Sequence, residues 1–168
     1  MRQACIAIVE AARARIYTYD DTDPNGGRTP AQPALHEEVD MVNPGRRGHD
    51  EDRYSTTKPG IKRDSPGGGS TDDHRDAHVD QLERSFAKAV VEEVDRITRM
   101  RALGRVIVVA GPHMLGELRR HDGVLHRSER SVEYVDSDLA GFTPPQIHDR
   151  LADLKLISPR RRLPLTPR

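Results

Sequence analysis

The hydrophobic positions of this chain follow two different periods, one of strand type and one of helix type. Ala4-Cys5-Ile6-Ala7-Ile8-Val9 is a continuous apolar run of strand length and predicts a buried strand. Ala14-Arg15-Ile16-Tyr17-Thr18-Tyr19 alternates polar and apolar, and the short link Glu10-Ala11-Ala12-Arg13 makes this second strand a neighbour of the first. After a turn-rich stretch around Asp23-Pro24-Asn25-Gly26-Gly27, Leu35 to Val42 predicts a third strand, mostly amphipathic, which Asn43-Pro44-Gly45 ends. The period then lengthens. Val79, Leu82, Phe86, Val90, Val94 and Ile97 recur at three- and four-residue steps, predicting one helix from His78 to about Ala102 that buries one face and stops at Gly104. Val106 to Ala110 reads as a central strand, and Met114, Leu115 and Leu118 begin a shorter helix after Gly111-Pro112. Val132 to Val135 is a last strand, and Thr143-Pro144 caps a final helix through Leu154.

The order βββαβαβα predicts a single α/β domain: a mixed sheet of about five strands with helices on both faces, an architecture shared with ribonuclease H-like nucleases. The domain is expected over residues 1–156. Residues 157–168, with Ser158-Pro159-Arg160-Arg161-Arg162-Leu163-Pro164, have no amphipathic pattern and are expected to form a basic, Pro/Arg-rich, mobile tail. A polar, Gly-rich loop is expected over 43–77, a length usually associated with function or disorder. Late in it stands Ser65-Pro66-Gly67-Gly68-Gly69-Ser70-Thr71. Three consecutive glycines remove every Cβ and permit φ > 0, so the loop can approach a partner's backbone closely beside the open N–H groups of the following helix. Taken alone, a Gly/Ser run is also what a flexible connector looks like.

Composition narrows the classes of partner. With 27 basic and 27 acidic side chains the chain carries no net charge, so general polyanion binding is not implied and any nucleic-acid contact must be local. Lys62 and Arg63, with Arg46, Arg47, Arg53 and Lys58, offer the loop a cationic approach to phosphate. Asp50, Glu51, Asp52, Asp64, Asp72, Asp73 and Asp76 nearly cancel that charge, and Tyr54 is the loop's only aromatic residue for base stacking. No apolar run approaches membrane-spanning length and the first residues enter a strand pattern rather than a signal peptide, so a cytoplasmic protein without a membrane partner is expected. The single cysteine, Cys5, excludes an intrachain disulfide and reads as a core residue.

Candidate chemistry is sparse. A two-metal nuclease of this architecture needs carboxylates from the first strand's end, the first helix and the fourth strand's end; Glu10 and Glu83 fit the first two, but Val109-Ala110-Gly111-Pro112 offers no third. His74 and His78 lie four apart beside Asp73, with His49-Asp50-Glu51-Asp52 upstream, a spacing that could bind zinc. Acidic residues at a helix start already have a reason in capping and the macrodipole, so neither a metal nor a cofactor is expected. Ser65, Ser70 and Thr71 near His74 make no nucleophile elbow or phosphate loop, and no catalytic residue is assigned. Glu10, Arg13 and Arg15 bracket the turn into the second strand as a candidate sheet-edge site, the plainer expectation being that the arginines pair with Glu10 and Asp20.

Four segments carry a family resemblance: Val9-Glu10-Ala11-Ala12-Arg13-Ala14-Arg15-Ile16-Tyr17, Asp64-Ser65-Pro66-Gly67-Gly68-Gly69, Ala110 through Arg119 as AGPHMLGELR, and Asp138-Leu139 through Thr143-Pro144. Together they resemble the bacterial host-attachment family, over nearly all of the chain before the basic tail. That family in turn resembles the middle domain of archaeal and eukaryotic class 1 peptide-release factors. There a glycine loop lies between the third strand and the long helix, and its Gly-Gly-Gln helps water attack the peptidyl-tRNA ester in the ribosome. Here Ser70 follows Gly69 and no glutamine lies in the loop, so the hydrolysis does not carry over. The resemblance implies a binding factor, non-catalytic or weakly catalytic, directed to the ribosome or tRNA through Gly67, Gly68, Gly69 and Ser70 with Lys62 and Arg63. The alternatives are a protein-interaction factor contributing to attachment to host cells, and a peptidyl-tRNA-type hydrolase in which Ser70 or His74 replaces the missing glutamine.

Overall fold

The computed structural model describes residues 3–21, 33–45, 71–127 and 129–160, the side chains of 71–77 excepted. Strands β1 (Gln3–Val9), β2 (Arg13–Asp20) and β3 (Ala34–Val42) precede the long helix α1 (Thr71–Met100). Strand β4 (Arg105–Ala110), helix α2 (Pro112–Arg119), a 3-10 turn at Asp122–Val124, strand β5 (Ser131–Asp136) and helix α3 (Pro144–Asp153) follow. The five strands form one mixed sheet in the order β3-β2-β1-β4-β5. β1 pairs antiparallel with β2 and β2 with β3, whereas β1 pairs parallel with β4 and β4 with β5. This is the α/β domain with helices on both faces that the hydrophobic pattern predicts.

Alternation explains why β1 and β4 are apolar throughout. Cys5, Ala7 and Val9 with Val106, Val108 and Ala110 face α1 and α2, packing on Phe86, Val90, Val94, Ile97, Met114 and Leu118. Ala4, Ile6 and Ile8 with Ile107 and Val109 face the other way, against Tyr17, Tyr19, Leu139 and the α3 residues Ile147 and Leu151. A strand covered on both faces needs no polar positions, and these have none. Cys5 is fully buried, and burial pushes its thiol up to about 12, which makes it a core residue without reactivity at neutral pH.

Two boundaries differ from the sequence pattern. Helix α1 starts at Thr71, ahead of the expected His78, because periodicity registers only a helix that packs on something. Burial along its described side chains begins at Glu83. Its end is set by Ala102 rather than Gly104: Ala102 adopts φ 52, and Leu103 N–H donates to the Thr98 carbonyl at 2.9 Å, closing the helix with a left-handed residue where glycine is the usual choice. Ala102→Gly is therefore expected to raise stability by about 0.5 kcal/mol, since relief of left-handed strain exceeds the added chain entropy of glycine. A urea titration at constant slope measures it.

Three residues placed with the tail pack on the domain. Ile157 is buried; Ser158 N–H donates to Tyr19 Oη at 3.0 Å and Ser158 Oγ to Asp21 at 2.5 Å; Arg160 forms a paired bond to Asp149. Residues 161–168 lie outside the described residues. Among the described residues no helix is long and apolar enough to cross a membrane.

Candidate functional site

At the carboxyl ends of β1 and β4 the chain leaves in opposite directions, from β1 toward β2 and from β4 through α2 toward β5. In α/β sheets such a divergence opens a crevice where ligands bind. Glu10 stands there exposed, tied to Arg13 through the backbone, its N–H donating to the Arg13 carbonyl at 2.9 Å. His113, in the first turn of α2, makes a hydrogen bond of 3.1 Å from Nε2 to Glu83 of α1. The exposures are unequal: the imidazole side chain is 69% exposed and the carboxylate 6%. Glu83 is thus a buried carboxylate that locks α1 to α2 at this edge, with the ring as its cover toward solvent.

The root of the Gly-rich segment is built into the same edge. Asn43 is 1% exposed, its Nδ2 donating to the Ala11 carbonyl at 2.8 Å and its backbone N–H to the Ala12 carbonyl at 2.8 Å. Its Oδ1 accepts the Gly45 N–H at 3.1 Å. One side chain thereby fastens the end of β3 to the β1–β2 turn. Gly45 then lies directly on α1, where a Cβ would come within 2.8 Å of Leu82 Cβ and 2.9 Å of its Cγ, so only glycine fits without displacement. The segment 46–70 departs beside Leu82 and ends at Thr71. Helix α1 ends where β4 begins and so runs antiparallel to β1 and β4; residues 71–82, about 18 Å of helix, precede Glu83 at their carboxyl edge.

The sequence-derived candidates fare differently. Lys62, Arg63, Gly67, Gly68, Gly69 and Ser70 lie outside the described residues, as do His49 to Asp52. Nor are the side chains of Asp73 and His74 described, and His78 is exposed. Among the described residues no three His, Cys, Asp or Glu side chains converge to hold a metal ion. The pairing expected for Arg13 and Arg15, with Glu10 and Asp20, is corrected. Arg13 binds Asp40 through Nε at 2.7 Å and Nη2 at 2.5 Å, while Arg15 binds Glu37 at 3.3 and 3.1 Å and the Phe142 carbonyl at 2.8 Å. The reason is register: β2 is an inner strand, and β3 sets Asp40 opposite Arg15 and Glu37 opposite Tyr17, so each arginine takes the acid diagonal to it. Asp20 instead accepts from Gln3 at 3.0 Å.

The electrostatics follow the pairing. The Arg13 guanidinium bonded to it holds the Asp40 carboxyl below its ordinary range. Burial would raise Glu38, but hydrogen bonds from Thr18 and Arg101 outweigh it and lower the group. Tyr17 is fully buried, and burial first, then the Glu37 carboxylate, holds its phenol protonated far above the usual range. Among the described residues its hydroxyl meets no partner in full hydrogen-bond geometry. Sequence reasoning passed over Asn43 and His113 as functional anchors. Asn43 before Pro-Gly reads only as a turn, and nothing local announces that His113 meets a carboxylate thirty residues away.

Compared with known families, residues 5–151 match the one described as protein required for attachment to host cells. No curated protein matches the chain.

Proposed function

The chain belongs to the family of proteins required for attachment to host cells, and from that premise we propose that it acts as a binding factor that engages the ribosome or tRNA through Gly67–Gly69. The observation that supports this reading is the reach of α1. About 18 Å of α1 precedes Glu83 at the carboxyl edge, and in the sequence the three glycines stand just before Thr71. A Cβ-free run at such a position suits close approach to a crowded partner backbone, and Lys62 and Arg63 just ahead of it suit phosphate. The run holds no glutamine like that of the release-factor loop, which favours a non-catalytic or weakly catalytic binding role.

Sedimentation of the full chain with ribosomes through a sucrose cushion tests this. Wild type is expected in the pellet at about 50 mM salt and largely released at about 200 mM, as counterion release requires for phosphate contacts. Deleting Gly67–Gly69 is expected to abolish pelleting at both. Wild type in the supernatant at both salts, from growing and starved cells alike, overturns the proposal and directs attention to a protein partner.

A further inference from the structure

At the opposite end of the sheet, where β4 begins, a groove of about 430 Å³ runs between β2, β4 and the chain after α3. That volume is in the range of small-molecule sites. Tyr19, Leu156, Ile157 and Pro159 give it apolar walls; Arg105 and Lys155 are the charged residues among its described lining, and none of the described lining residues is acidic. Two features set these cations apart from ordinary surface charge. The Arg105 side chain is only 16% exposed and is fixed by Nε to Glu133 at 2.7 Å and Nη1 to the Leu156 carbonyl at 2.6 Å, while its Nη2 makes no hydrogen bond among the described residues. Lys155 sits at φ 60, the left-handed conformation glycine adopts without strain, at the position that closes α3. A strained non-glycine residue whose side chain lines a groove is a feature associated with ligand sites.

We propose that this groove binds an organic anion, a carboxylate or phosphate group attached to a flat apolar body. The anionic group meets Arg105 Nη2 and the Lys155 ammonium, and the ring system lies on Leu156 and Pro159, above the buried Tyr19 and Ile157. Glu133 neutralises part of the Arg105 charge, so Lys155 carries most of the discrimination between charged and uncharged ligands.

Calorimetric titration of the full chain with 2-naphthoate and with adenosine 5′-monophosphate, each beside its uncharged counterpart 2-naphthalenemethanol or adenosine, tests the assignment and separates carboxylate from phosphate. At least one anion is expected to bind about tenfold or more tightly than its uncharged counterpart. Lys155→Met is expected to remove that advantage. Lys155→Gly separates binding from strain, because it should stabilise the fold while losing the anion as Lys155→Met does. Absence of anion binding at about 10 mM, equal binding of charged and uncharged forms, or undiminished binding by either variant overturns the proposal.

Discussion

Replacing Asn43 by alanine is expected to destabilise the domain by about 2 kcal/mol, because it strips the hydrogen bonds that a buried side chain makes to two part-buried backbone groups. The Ala11 carbonyl loses Nδ2 and the Gly45 N–H loses Oδ1, while the backbone bond from Asn43 to Ala12 survives. Asn43→Asp is the informative companion. It keeps an acceptor for Gly45 but sets a buried carboxylate against the Ala11 carbonyl, so it should fall at least as far as alanine. Urea denaturation of the three proteins, with the slope checked for constancy, reads the effect. A loss under about 0.5 kcal/mol for alanine would mean that the Asn43 clasp does not hold the end of β3.

Arg15→Ala carries the second large effect, about 2–3 kcal/mol. Arg15 is 9% exposed, and its guanidinium bridges Glu37 of β3 to the Phe142 carbonyl just before α3, so it couples the outer strand to the helix across the sheet face. Glu37 is 38% exposed and regains water when the arginine is removed, so the ion pair itself contributes little. Most of the loss comes from the Phe142 carbonyl and from the side chain's packing, with the guanidinium carbon 5.4 Å from the Tyr17 ring centroid. Arg15→Lys should recover less than half, since an ammonium cannot reach two acceptors in a fixed fork. Glu37→Gln alone should cost under about 1 kcal/mol, and a double-mutant cycle isolates the pair. Full recovery by lysine would reduce the bridge to a simple charge effect.

The fold was legible because burial dictates period. β1 and β4 are apolar on both faces since α1 and α2 cover one and α3 the other, and the three-to-four spacing from Val79 to Ile97 is the trace of α1 on the sheet. Where apolar residues do not recur the pattern is silent, which is why the polar start of α1 at Thr71 escaped it. Ile157 was equally hard to place, because a single apolar residue among prolines and arginines has no period. The partners of Arg13 and Arg15 were illegible for another reason. Which acid faces an arginine depends on the register of β2 against β3, including the shift between Ile16 and Tyr17, and no local rule specifies that shift.

By itself the amino-acid sequence determined the order of elements, the α/β class, the two-sided core, the inert Cys5 and the segments that carry the family likeness, all consequences of composition and period within single elements. Only the tertiary structure decided that His113 covers a buried Glu83, that Asn43 and Gly45 seat the root of the Gly-rich segment on α1, and that Arg105 and Lys155 share one groove. These are contacts between residues far apart in the chain. Their geometry comes from sheet order and helix packing, which set distances that no stretch of sequence contains.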